Sequence, residues 1–208
     1  MVTRRSFFLT LFAGAAMPWQ GAIARASAAE LNAARRFMDR LAKQAIEVLR
    51  RSEDDAEQRE AAFRVLLSEG FDVPFIGRFV LGRHWRNATP EQRDRYLALF
   101  SEFLIKTYTR RLSEYSGEVF RITGAHPAGK KDVIVRTRIE RPSGDPIKAG
   151  WRIRGVGSRL KIIDVSIEGV SMAVTQRAEF ASVVQHKGID GLLQALSRQT
   201  EVHLAKTS

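Results

Sequence analysis

The residues with the most obvious chemical potential lie at a strand-to-helix junction that the sequence predicts near residue 170. The segment Gly-Val-Ser-Met-Ala, at 169–173, differs by one residue from the Gly-x-Ser-x-Gly motif that presents a nucleophilic serine in hydrolases. Asp190 and His203 follow Ser171 in the order found in those enzymes. The motif requires a parallel sheet, whereas the short turns before this segment predict an antiparallel one. We therefore interpret Ser171 as a structural residue and keep an esterase as the minor alternative.

Other combinations of reactive residues are weak. The four histidines, His84, His126, His186 and His203, are scattered along the chain without the spacing of metal ligands. There is no cysteine, which excludes disulfides, thiolate ligands and a thiol nucleophile. The glycines of "GVGSRL" lack the third glycine of a dinucleotide loop and are predicted to lie in a hairpin. We expect no metal and no cofactor, and we do not expect an enzyme.

The amino terminus predicts export from the bacterial cytoplasm. Arg4 and Arg5 precede a short apolar run, and Ala-Ser-Ala at 26–28 is typical of a cleavage site. The pattern resembles a twin-arginine signal over residues 1–28, with an ordinary secretion signal as the alternative. We expect a soluble periplasmic protein. The formal charge of +11 then favours anionic lipid headgroups or acidic protein patches as partners. Nucleic acid is not expected as a partner, because the protein is predicted to lie outside the cytoplasm.

Four helices are predicted in the first half of the chain. Amphipathic patterns indicate one helix over 30–51 and a second that ends at Gly70, followed by a short helix over 74–81 that Gly82 closes. The fourth helix begins after Thr89, with Pro90 at its first position. Gln92 completes a capping box with Thr89. Five of the seven residues on the apolar face of this long helix are aromatic, and the seven are Tyr96, Phe100, Phe103, Leu104, Tyr108, Leu112 and Tyr115.

After Gly117 the apolar period changes from 3.6 to 2, which predicts four strands joined by short turns and therefore an antiparallel meander. Arginines such as Arg136, Arg138, Arg152 and Arg154 fall on the face opposite the apolar residues, where we expect a solvated surface or a docking surface. Helix returns near residue 171, breaks at Gly188 and resumes over 190–199. The predicted fold class is α+β, with several helices packed on one face of a curved four-stranded antiparallel sheet. One domain is expected over 29–200, with a flexible tail over 201–208.

Several stretches resemble the MlaC family of periplasmic phospholipid-binding proteins, also known as the Ttg2D or toluene-tolerance type. The similar segments are "FVLGRHWRNATPEQRDRYLALFSEFL" at 79–104, Gly-Trp-Arg at 150–152, "EGVSM" at 168–172 and "GIDGL" at 188–192. The resemblance covers about residues 30 to 199. It implies a carrier of the Mla lipid-asymmetry system, with an apolar cavity between sheet and helices that takes phospholipid acyl chains and leaves the headgroup exposed.

The resemblance also implies partners. Carriers of this family dock on an inner-membrane ABC transporter complex and on an outer-membrane lipoprotein–porin complex. A related branch occurs with genes of hopanoid synthesis, so a polycyclic lipid is an alternative cargo.

A carrier needs large apolar side chains that line a cavity instead of filling one another's space. We select candidates from the short helix, the long helix and the inward face of the sheet. The alternative explanation for the whole set is an ordinary filled core, as in an adaptor domain. The candidate lipid-binding residues are Phe75, Phe79, Val80, Leu81, Tyr96, Phe100, Phe103, Tyr108, Val133, Val135, Ile139, Trp151, Ile153, Ile163 and Val165.

Overall fold

A computed structural model describes residues 26–51, 56–112, 117–156 and 159–204 of the chain. Helix α1 spans Ala28–Arg51 and α2 spans Ala56–Gly70. The short helix α3, Val73–Leu81, is followed by a single turn, α4, at His84–Asn87, and by the long helix α5 at Pro90–Leu112. The predicted export signal lies outside the described residues except for its last three positions. None of the described helices is both long and apolar enough to cross a membrane.

The sheet contains five strands in sequence order, and each strand pairs antiparallel with the next. They are β1 (Val119–Ala128), β2 (Asp132–Glu140), β3 (Ile147–Val156), β4 (Arg159–Ile167) and β5 (Val170–Ser171). The α+β class and the antiparallel meander are confirmed. The register shifts in β1 and between β3 and β4 are bulges, which bend and twist a sheet locally.

The predicted number of strands was wrong, because β5 forms a fifth. Glu168 and Gly169 both adopt a positive φ, at 47° and 85°, and they reverse the chain so that Val170 pairs with Ile167. A strand of two residues is too short to show an alternating pattern in the sequence. The turn after β1 also lies later than expected. Pro127 belongs to the strand, which is compatible with β1 lying at the edge of the sheet, where a missing N–H costs no ladder bond.

The last helix, α6, spans Met172–Leu204 and is interrupted at Gly188, whose φ of 68° and ψ of 178° are not helical. This confirms the predicted break. The second part continues beyond residue 199 to Leu204, into the segment expected to be a flexible tail, and residues 205–208 lie outside the described part of the chain. The helical layer consists of α5 packed on α6, α3 and α2, whereas α1 packs on β1 and β2.

Candidate functional site

The aromatic face of α5 forms a cluster of rings inside the helical layer. Tyr96 and Phe100 are essentially inaccessible to solvent and stack with their centroids 5.6 Å apart. Phe180 of α6 meets both rings edge-on, at 6.3 and 6.2 Å, and Phe103 lies 5.9 Å from it. This arrangement requires the i, i+4 spacing of Tyr96 and Phe100, which places both rings on one face of the helix. We call this set, together with the buried residues of α3 and of the second part of α6, the helical cluster.

The short helix α3 joins the helical cluster through its buried Val80 and Leu81. It begins where the carboxylate of Asp72 accepts a hydrogen bond from the backbone N–H of Phe75 at 3.1 Å, and it ends at Gly82, whose φ is 59°. Phe79 points outward, with 37% of its surface exposed, beneath the guanidinium of Arg177. The helix therefore presents one face to the interior and one aromatic side chain to solvent.

A second apolar cluster lies on the inward face of the sheet. Val133, Val135, Ile153 and Ile162 are buried there, and the residues of α1 that cover them are Ala34, Met38 and Leu41. At the rim of this sheet cluster, partly buried Trp151 lies 6.1 Å from Phe120 and donates a hydrogen bond from Nε1 to Thr137 Oγ1 at 2.9 Å. Because Trp151 satisfies its N–H in this way, its indole ring can lie over an otherwise apolar surface.

The candidate lipid-binding residues are thus divided between two apolar clusters instead of forming one. Those of the helical cluster are Val80, Leu81, Tyr96, Phe100 and Phe103. Those of the sheet cluster are Val133, Val135, Ile153, Trp151 and Val165. Ile163 is buried, and Phe75, Tyr108 and Ile139 are partly buried. Apart from Phe79, the set consists of buried or partly buried side chains, as a cavity wall or a core both require.

An apolar cleft of about 290 Å³, which we call the seam cleft, opens between α2, the start of α3 and α5. Phe71, which packs against both clusters, lies in its wall. The other wall residues come from α2, the start of α3 and α5, and they are Arg64, Leu67, Ser68, Val73, Pro74, Leu97 and Ser101. Known ligand pockets begin at about 300 Å³, so this cleft has the size of a small one.

Sequence reasoning missed the residues that join the layers. Phe71, Leu67 and Leu97 were not selected, nor was Phe180, which completes the ring cluster. Leu67 and Phe180 lie on recognisable apolar stripes of predicted helices, and that signal could have identified them. Phe71 lies between two helices, in a single bridge to Ile162 of β4, and no local pattern marks such a position.

The outer face of the sheet is only partly as predicted. Arg136 and Arg138 are exposed, but Arg152 and Arg154 hold the buried carboxylate of Asp132. Arg154 donates from Nε and Nη2 at 2.6 and 2.9 Å, and Arg152 donates from Nε at 2.7 Å. Burial acts to raise the pKa of Asp132, but the hydrogen bonds and charges of the two arginines outweigh it and lower the pKa below its ordinary value. This part of the face is a structural ion-pair network.

Ser171 has the surroundings of a helix cap. Its hydroxyl donates to Asp164 Oδ2 at 2.7 Å and accepts from the backbone N–H of Val174 at 3.1 Å, as a residue that caps the first turn of α6 does. Asp190, the proposed acid of the esterase alternative, accepts instead from Gln92 of α5 at 2.9 Å. The strands around Ser171 are antiparallel, so the nucleophile elbow that the esterase alternative requires is not formed.

In the part of the chain that the structure describes, no group of three or more metal-ligating side chains comes together. The arrangement that remains is a helical layer and a sheet layer, each with its own apolar cluster, and an apolar cleft in whose wall lies Phe71, which contacts both clusters. These features define a small α+β domain whose apolar interior is divided into two clusters.

The chain belongs to the MlaC protein family, whose family model matches residues 39–198. It is 25% identical over 131 residues to the intermembrane phospholipid transport system binding protein MlaC of Haemophilus influenzae, covering 61% of each chain. It is also 25% identical over 130 residues to the toluene tolerance protein ttg2D of Pseudomonas putida, covering 62% of this chain and 60% of that one. The chain thus spans about three fifths of the length of these curated relatives.

The fold resembles that of a phospholipid-binding protein from Ralstonia solanacearum, solved in complex with a phospholipid. The TM-score is 0.69 at 22% sequence identity, and the match covers 79% of this chain and 95% of that one. At this level of identity the likeness establishes the shared architecture.

Proposed function

We propose that the protein is a periplasmic phospholipid carrier of intermembrane lipid transport, which holds acyl chains along the seam between the helical cluster and the sheet cluster. The observation that carries the proposal is the apolar seam cleft, whose wall includes Phe71, a residue that contacts both clusters. The phospholipid named with the Ralstonia structure and the transport system named with the Haemophilus relative support it.

The physical need for such a site follows from the cargo. A two-chain lipid has about 30 methylenes, and their exposure to water costs about 25 kcal/mol at ~0.8 kcal/mol each. A carrier that offers an apolar interior removes most of that cost and so allows a lipid to cross an aqueous compartment.

The cleft of about 290 Å³ is too small for two acyl chains, so the two clusters must separate when lipid binds. On this proposal the buried residues of α5 and α3 form one wall and the inward residues of the sheet form the other. The candidate lipid-binding residues of both clusters would then line the same lipid site, although they belong to different clusters in the closed protein. On this proposal the short helix α3, which begins at Val73 and ends before Gly82, moves together with α5 as part of the helical cluster.

The cellular setting belongs to the same proposal. The predicted export signal places the carrier in the periplasm, where it would exchange lipid with an inner-membrane ABC transporter complex and an outer-membrane lipoprotein–porin complex. The name of the Haemophilus relative, a binding protein of a transport system, supports this setting.

The test is native mass spectrometry of protein purified from the periplasm, followed by extraction and identification of the bound lipid. We expect a mass increase that corresponds to one phospholipid and disappears after extraction. A polycyclic lipid in the extract would show that the cargo is this lipid and not the proposed phospholipid. Protein that remains unliganded even after incubation with dispersed phospholipid would contradict the proposal.

A further inference from the structure

A second cleft, of about 530 Å³, lies beside α1, where that helix passes the end of α2 and the beginning of β4. We call it the arginine cleft. Its lining residues are Ala33, Arg36, Phe37, Arg40, Glu69, Arg159 and Leu160. None of them was among the candidate lipid-binding residues, and the seam cleft shares no residue with it.

The three guanidinium groups of the arginine cleft are without an ion-pair partner within 4 Å in the described ranges of the chain. Arg36 and Arg40 are exposed and lie one helical turn apart, a spacing at which like charges repel. The neighbouring Asp39 and Lys43 have the same spacing and form an ion pair at 2.8 Å. Helix α1 therefore balances charge on one side and concentrates positive charge on the side of the cleft.

The floor of the arginine cleft is apolar. Phe37 and Leu160 line it while packing against the sheet cluster, and both are only partly buried. A ligand in the cleft would therefore meet guanidinium groups at the rim and apolar surface below. This combination matches an amphiphile with an anionic group better than a simple inorganic anion.

The end of α2 would oppose an anion if its carbonyl groups were free, since a helix carries partial negative charge at its carboxyl end. Lys161 counters this effect by donating from Nζ to the carbonyl oxygens of Ser68 and Glu69 at 2.7 and 2.8 Å. The carboxylate of Glu69 remains as a single negative charge against three positive ones in the lining.

We propose that the arginine cleft binds the phosphate group of a phospholipid headgroup. Guanidinium groups suit this role, because their planar N–H donors match phosphate oxygens in pairs. The inference deepens the proposed function and rests on it, since the same lipid would place its acyl chains against the protein interior. The phosphate could belong to a lipid held by the protein or to one still in a bilayer, and the chemistry of recognition is the same.

The test compares dihexanoyl phosphatidylglycerol with dihexanoylglycerol, which has the same tails and no phosphate, by calorimetric titration of the full mature protein after lipid removal. The wild-type protein should bind the phosphate-bearing lipid at least about tenfold more tightly. The variant R36Q/R159Q should lose this preference and retain its affinity for dihexanoylglycerol. The control R35Q/R138Q removes the same charge from exposed positions outside the cleft and should keep the preference.

A third variant tests the sign of the effect. Glu69→Gln removes the negative charge from the lining and should strengthen binding of phosphatidylglycerol several-fold, a gain that damage to the fold cannot produce. The inference is overturned if R36Q/R159Q and the control show an equal preference for phosphate among the dispersed lipids and also sediment equally with the phosphatidylglycerol vesicles described below. Failure of wild-type protein to bind either lipid would instead contradict the proposed function.

A vesicle arm distinguishes the two sources of phosphate. Vesicles of phosphatidylcholine with and without phosphatidylglycerol are sedimented with each variant at low salt. If R36Q/R159Q loses vesicle binding but binds the dispersed lipids as the wild type does, the cleft recognises lipid in the bilayer. If it loses the preference among dispersed lipids, the cleft holds the headgroup of the cargo.

Discussion

The hydroxyl group of Tyr96, which is fully buried in α5, donates a hydrogen bond to the carbonyl oxygen of Gly77 in α3 at 3.0 Å. Burial raises the pKa of this hydroxyl, so it stays protonated and remains a donor well into the alkaline range. It is a polar contact inside the otherwise apolar helical cluster, and it fixes the short helix on the long one.

Tyr96→Phe should weaken this attachment without creating a cavity or an unsatisfied donor. We expect a loss of about 1 kcal/mol in the free energy of unfolding, measured by urea denaturation, because one buried hydrogen bond disappears. If α3 moves when lipid enters, the variant should also exchange lipid faster than the wild type does. An unchanged unfolding free energy would show that the bond contributes nothing.

Gly77→Ala tests the close approach of the same two helices. A Cβ atom at this position would lie 2.9 Å from both Leu97 Cδ2 and Phe100 Cδ1. Alanine favours a helix over glycine by up to about 1 kcal/mol, but overpacking costs about 1–3 kcal/mol, so we expect a net loss of stability. Gly124→Ala is the control, since no atom lies within 4 Å of its added Cβ. A Gly77→Ala protein as stable as the control would contradict this packing.

Ser101→Trp should block the seam cleft. Ser101 lines the cleft, and an indole at this position would occupy much of its volume of about 290 Å³. We expect the amount of lipid that copurifies with the protein, measured by extraction and mass spectrometry, to fall several-fold. Ala98→Trp adds the same ring at an exposed position of α5 outside the lining and should leave the lipid content unchanged. Equal lipid content in the two variants would show that the cleft does not take part in lipid binding.

Features that depend on neighbouring residues in the chain could be predicted from the sequence. The capping box forms as expected, with Gln92 N–H donating to Thr89 Oγ1 at 3.2 Å and Thr89 N–H donating to Gln92 Oε1 at 3.1 Å. The break at Gly188 and the inward positions of Val133, Val135 and Ile153 were predicted for the same reason. Capping, backbone conformation and strand alternation are set within a few residues.

Features that depend on distant segments could not be predicted. Phe180 completes the rings of α5 from a helix some eighty residues later in the chain. Arg152 and Arg154 looked like solvated residues, because the sequence does not show which cross-strand neighbour is a buried carboxylate. The division of the interior into two clusters depends on which helix covers the sheet, and the periodicity of α1 and α5 does not distinguish them.

The network around Asp132 predicts a loss of stability in acid. The arginines hold its pKa below the value of an unfolded chain, so the ionised carboxylate stabilises the fold at any pH above that unfolded value. This contribution must decline as the pH falls from about 4 through the lower pKa of the folded protein.

Asp132→Asn should therefore reduce the unfolding free energy at pH 7 by about 2 kcal/mol. This loss is smaller than that expected for a fully buried ion pair, because water reaches both guanidinium groups. The measurement is urea denaturation of both proteins at pH 7, 5 and 3. The difference in unfolding free energy between variant and wild type should become smaller below pH 4. Asp39→Asn removes a carboxylate from an exposed pair on α1 and should change stability by less than about 0.5 kcal/mol at each pH. A gap for Asp132→Asn that stays constant from pH 7 to 3 would mean that the charge of Asp132 does not stabilise the fold, and that the network holds the strands together by shape and neutral hydrogen bonds alone.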